Sequence, residues 1–175
     1  MTDDARLAAL LAEIQLEFPG FRLVPKEESR LQRAIATALR ALTFGGQNAY
    51  LDRYVTTIGK TVYVNRGWES RSPADRYVTL RHERIHLRQF RRYGLIPMAI
   101  AYLLLPLPLG LAWCRARLEW EAYAESVRAM CDVYGKAHGL APETKQYIIE
   151  QFTGPAYGWM WPFPRQIQSW LDMIG

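Results

Sequence analysis

The alternation of apolar and polar positions along the chain predicts a mostly helical protein with a little sheet. Residues 4–17 put Leu7, Leu10, Leu11 and Ile14 on one face of a helix, the spacing of an amphipathic element. Pro19-Gly20 breaks it, and residues 21–24 suit a short strand. A second helix is expected over residues 26–42, with Leu31, Ile35, Ala38, Leu39 and Leu42 inward. Residues 44–48 read as a loop. Residues 53–58 and 61–65 are rich in Val, Thr and Tyr, and Gly59-Lys60 between them suits a two-residue hairpin turn. Ser72-Pro73-Ala74-Asp75 carries a helix start: Ser72 caps, Pro73 is the first helical residue, and Asp75 is an acid in the first turn. A long helix over residues 113–135 has Trp113, Trp120, Tyr123, Ala124, Val127, Met130, Cys131 and Tyr134 on a broad apolar face. Another helix opens at Ala141-Pro142-Glu143 and runs to about residue 152. Residues 153–164 form an aromatic loop, and residues 165–174 a short closing helix.

Composition narrows the class. Half of the residues are hydrophobic, which excludes a disordered or fibrous chain, and 175 residues suit one domain, 1–175, with a sizeable core. A net charge of +5 permits an anionic partner without requiring one. The acidic start Met1-Thr2-Asp3-Asp4 is followed by no long apolar run, so no secretory signal is expected. Cys114 and Cys131 lie seventeen residues apart on one predicted helix. That is roughly 25 Å at 1.5 Å per residue, too far for a disulfide. Two free thiols fit a reducing, cytoplasmic setting.

The chemistry gathers in His82-Glu83-Arg84-Ile85-His86, an H-E-x-x-H sequence holding two of the three histidines. On a helix, residues four apart share a face one turn apart, so both imidazoles can bind one Zn²⁺. Glu83 projects about 100° around the helix. From there a carboxylate can reach water at the metal without binding the metal, as a general base must. In projection His86, Gln89, Tyr93, Val78 and Ile85 gather near His82, while Arg81, Arg84, Arg88, Arg91 and Arg92 fall on the opposite side. The bland alternative is a pair of core histidines four apart by chance. The arginines are either solvated charge or a stripe that meets phosphate, nucleic acid or anionic lipid. No nucleic-acid module is recognisable, and no nucleic-acid partner is expected.

Further along stands Glu121-Ala122-Tyr123-Ala124-Glu125. With H-E-x-x-H upstream, the chain resembles the gluzincins, the thermolysin-like zinc metallopeptidases and their small relatives. In these a second helix carries E-x-x-[AS]-D, and here Glu125 stands in place of the Asp. The resemblance covers the two metal helices and, loosely, the hairpin before them. It implies an α+β, mostly helical zincin-like fold with a small sheet before the metal helix. It implies Zn²⁺ held by His82, His86 and Glu121, with Glu83 as base and a peptide or protein as substrate. Glu125 would hold the second ring nitrogen of a ligating histidine, His82 before His86. An edge strand would bind extended substrate, and residues 61–65 are best placed for it unless the hairpin is purely structural. Tyr157 would be a candidate donor to the oxyanion, against a packing role in the aromatic loop.

Physical reasoning favours Glu121 over Glu119. Glu121 and Glu125 are like charges on one face, which repel and, if buried, need a cation. Glu119 projects about 160° from Glu121 and cannot share that face. The alternative for Glu121 and Glu125 is a solvated face partnered by Arg117 and Arg128. Residues 95–114 contain no charge and are long enough to cross a bilayer. Pro97, Pro106, Pro108 and Gly110 interrupt them, and a crossing would separate His86 from Glu121. They read as a buried helix over 95–105 and a loop over 106–110, with a peripheral membrane contact left open. The non-enzymatic alternative is a zinc-stabilised domain that docks on a membrane surface or an acidic partner through its arginines and apolar segment.

Overall fold

In the computed structural model, which describes residues 1–42, 52, 54–101, 112–155 and 160–174, helix α1 (Asp3–Glu17) starts at a side-chain cap. Thr2 Oγ1 accepts the Ala5 N–H at 3.3 Å, and Asp3 and Asp4 favour the positive end of the helix. Leu7, Leu10 and Ile14 are buried, as their spacing requires. Gly20, at φ +88°, turns the chain into strand β1 (Arg22–Pro25). A 3-10 turn, Lys26–Glu28, precedes α2 (Arg30–Leu42), whose first turn is capped by Ser29. Here the expected register is corrected. The 3-10 turn ends at Ser29 and restarts the helix, which turns Lys26 and Gln32 inward and leaves Leu31 exposed. Ile35 is half-buried, and the side chains of residues 38–42 lie outside the description.

Strands β2 (Thr56–Ile58) and β3 (Thr61–Val64) pair antiparallel, with Ile58 opposite Thr61. Gly59-Lys60 is therefore the predicted two-residue turn, with Gly59 at φ +60°. β1 pairs parallel with β3, giving the order β1-β3-β2. The expectation of an edge strand at residues 61–65 is thus corrected: β3 is central. Arg22, some forty residues upstream, donates its N–H to Lys60 O at 3.1 Å and its guanidinium to Thr61 Oγ1 at 3.3 Å. Helix α3 (Pro73–Tyr93) begins as predicted, with Ser72 Oγ accepting the Asp75 N–H at 3.1 Å and donating to Asp75 Oδ2 at 2.7 Å. It ends at Gly94, whose φ of +83° only glycine adopts freely.

Contacts group the chain into two units, Met1–Glu83 and Arg84–Gly175, and the division falls inside the continuous helix α3. In the second unit α4 (Leu95–Ala99) buries Met98 but exposes Leu95 and Ile96, so this first part of the expected buried helix is buried on one side only, and residues 102–105 lie outside the described residues. No helix among the described residues is long and apolar enough to cross a membrane, and the expected loop at 106–110 lies outside them. Then follow α5 (Trp113–Tyr134), α6 (Lys136–Gly139), α7 (Pro142–Thr153) and α8 (Pro164–Asp172). Trp120, Tyr123, Ala124 and Val127 of α5 share one core with Ile148 and Phe152 of α7 and Ile167 and Trp170 of α8. Trp120 meets Trp170 at 5.2 Å and Tyr123 meets Phe152 at 5.5 Å between ring centroids. This packing sets the rotation of α5, and with it the face that each of its acids occupies. The described residues are mostly helical with one small sheet, an α+β architecture.

Candidate metal centre

Helix α3 places His82 and His86 one turn apart, in register on one element. His86 is buried, and so is Glu119 of α5. His86 Nε2 lies 3.8 Å from Glu119 Oε2. One ligand atom from each of His82, His86 and Glu119 lies within 4.8 Å of the others. Donors about 2.0–2.2 Å from a tetrahedral ion stand roughly 3.4 Å apart, so the His86–Glu119 separation is close to what an ion requires. Two imidazoles and a carboxylate are donor types that could hold a metal ion such as zinc.

The carboxylate brought to the histidines is therefore Glu119, a correction to the expected Glu121. Glu121 is exposed, and its Oε2 accepts from Gln89 Nε2 at 3.0 Å. Glu125 is half-buried, with Arg128 Nη1 at 3.5 Å from its Oε2. An amide and an arginine partner these two acids, so their like charges do not require a metal. A signal for Glu119 was present. Ala122, Ser126 and Ala129 are buried on its side of α5, so the helix has a second inward face made of small residues. The E-x-x-A spacing also occurs twice, as Glu119…Ala122 and as Glu121…Ala124.

Gln89 was not singled out as a site residue, and it orients His86. Its amide Nε2 donates to Leu118 O at 3.0 Å as well as to Glu121. With the NH₂ group facing two acceptors, Oε1 must face His86 Nδ1, 2.9 Å away. An amide oxygen only accepts, so Nδ1 carries a proton, and Nε2 is the ring nitrogen turned toward Glu119. This is the outer contact that a metal-binding histidine needs. Glu125 was expected to make such a contact with His82 before His86; for His86 an amide on α3 supplies it.

Glu83 is buried in the first unit and accepts from Thr57 Oγ1 at 2.7 Å. Lys26, almost fully buried, lies within its electrostatic reach. Burial pushes the Lys26 ammonium down to about 7, and the Glu83 carboxylate opposes that drop. Neither Thr57 nor Lys26 was visible as a partner, because each comes from far upstream and depends on the sheet and the 3-10 turn. Tyr157 lies outside the described residues. His138 is exposed at the end of α6. Cys114 and Cys131 are both free thiols. Comparisons with protein-family models, with curated proteins and with solved structures find no match to this chain.

Proposed function

We propose that this chain is a zinc-dependent hydrolase, a metallopeptidase in reaction type, acting in a reducing cytoplasmic compartment. The observation that carries the reading is the convergence of His82, His86 and Glu119 within 4.8 Å. Those residues would hold the ion. Zinc there would supply Lewis acidity, polarising a scissile carbonyl and lowering the pKa of water. Gln89 keeps His86 in the tautomer that offers Nε2. Thr57 holds the Glu83 carboxylate by Oε2, and Lys26 lies within its electrostatic reach. Ionised Glu83 takes a proton from the attacking water and returns it to the leaving amine. The free thiols support the choice of compartment.

The deciding experiment has two readouts. Elemental analysis of gently purified protein should find about one zinc per chain. Glu83→Gln should keep that zinc and the fold while peptide hydrolysis falls by about 10²- to 10⁴-fold. A folded wild type without metal would sink the reading. The exposure of Leu95, Ile96 and Ile100 favours a second reading, a non-catalytic zinc-stabilised domain docking on a membrane or acidic partner. In that case wild type would bind zinc but cut no peptide in a broad library, and Glu83→Gln would alter stability alone.

A further inference from the structure

Within the second unit, α3 and α5 enclose a cleft of about 380 Å³. Ile85, Arg88, Gln89 and Arg92 form one wall, at the i, i+3, i+4, i+7 positions of α3. Arg117, Trp120, Glu121 and Arg128 form the other, along one face of α5. This corrects the placing of all five α3 arginines on one solvated stripe: Arg88 and Arg92 face the cleft beside Gln89. Four arginines therefore line one concavity with one carboxylate, Glu121, and a second carboxylate, Glu125, lies 3.5 Å from Arg128, which leaves two guanidinium charges in excess. Its volume falls within the range of small-ligand sites, about 300–1,000 Å³.

Convergent like charges repel, so an arrangement of this kind is relieved by a bound anion. The guanidinium fork matches the oxygens of a phosphate in paired hydrogen bonds. A phosphate monoester carries about −1.5 to −2 near neutral pH, and matches the excess of guanidinium over carboxylate better than a single carboxylate does. Two of the arginines lie over aromatic rings. Arg92 lies 5.2 Å from the Tyr93 ring centre and Arg117 lies 5.9 Å from that of Trp170. Tyr93 and Trp120 line the same cleft and offer apolar surface to the organic part of a ligand.

We propose that this cleft binds a phosphate-bearing anion through Arg88, Arg92, Arg117 and Arg128. The proposal does not depend on the metal centre. The phosphate could belong to a free small molecule or to a lipid headgroup, since exposed Leu95, Ile96 and Ile100 follow Arg92 along the chain.

The test uses the full chain in two arms: calorimetry with pyrophosphate in solution, and sedimentation with phosphatidylcholine vesicles containing phosphatidic acid. Saturable binding is expected in at least one arm, weakening as salt is raised. Arg88→Gln with Arg117→Gln should weaken it by about tenfold or more. Glu121→Gln, which removes the competing negative charge from the wall, should tighten it. Binding by pyrophosphate identifies a free ligand, and binding by vesicles alone identifies a headgroup. If that double variant fails to fold, Arg92→Gln with Arg128→Gln replaces it. No saturable binding in either arm, or binding that survives in a folded double variant, would overturn the proposal.

Discussion

Glu119 and Glu121 are two residues apart on α5 and meet opposite environments. Glu119 is 3% exposed and faces His86 Nε2. Glu121 is exposed, takes a hydrogen bond from Gln89 and lines a cleft with four arginines. Two residues are about 200° of helix rotation, so whichever acid turns toward the histidines, the other must turn away. A buried carboxylate is costly unless a cation or donors compensate it, and the histidine pair with a metal would do so. An exposed one costs little and is free to serve a different purpose. Gln89 joins the two environments, with one end of its amide on His86 and the other on Glu121.

The largest effect should come from exchanging the two acids. Glu119→Gln should cut zinc affinity by more than about 100-fold, because it removes a ligand rather than an outer contact. Glu121→Gln should leave zinc stoichiometry unchanged. Competition with a chelator measures both, and the opposite result would return the ligand role to Glu121.

Next is the residue that links them. Gln89→Leu should weaken zinc binding about 10- to 100-fold, the usual cost of losing the group that orients a metal-binding histidine. It should also release Glu121 from its hydrogen bond. Unchanged affinity would mean that His86 is oriented by other contacts.

Another buried charge sharpens the contrast. Lys26 holds its proton to about pH 10.5 when unfolded but only to about pH 7 when folded. Between those values unfolding takes up a proton, so raising the pH stabilises the fold. The slope approaches ~1.4 kcal/mol per pH unit, and below about pH 7 the cost of the buried ammonium is felt in full. Lys26→Met should lose this slope. Denaturation of both proteins at pH 7, 8 and 9 would show it, and parallel curves would contradict it.

The smallest effect belongs to Glu125. Its pair with Arg128 is largely exposed on the arginine side, so Glu125→Ala should cost under about 1 kcal/mol of stability. Zinc affinity should stay within a few-fold of wild type. A loss of tenfold or more would give Glu125 the histidine-orienting role that its spacing first suggested.

What the sequence determined by itself was local. The four-residue interval between His82 and His86 needs only a helix to become a shared face. Ser72, Pro73 and Asp75 start that helix through contacts three residues long, and Gly59-Lys60 specifies a hairpin through the turn alone. The choice between Glu119 and Glu121 was not local. Both stand in E-x-x-A spacing, and α5 is buried on two faces, one lined with aromatics and one with small residues. The packing of Trp120 and Tyr123 against α7 and α8 fixes how far the helix is rotated, and a rotation that carries one acid inward carries the other out. The same holds for Lys26 and Thr57 beside Glu83, and for the central place of β3. Each depends on a partner tens of residues away, and such a pairing leaves no period in the chain.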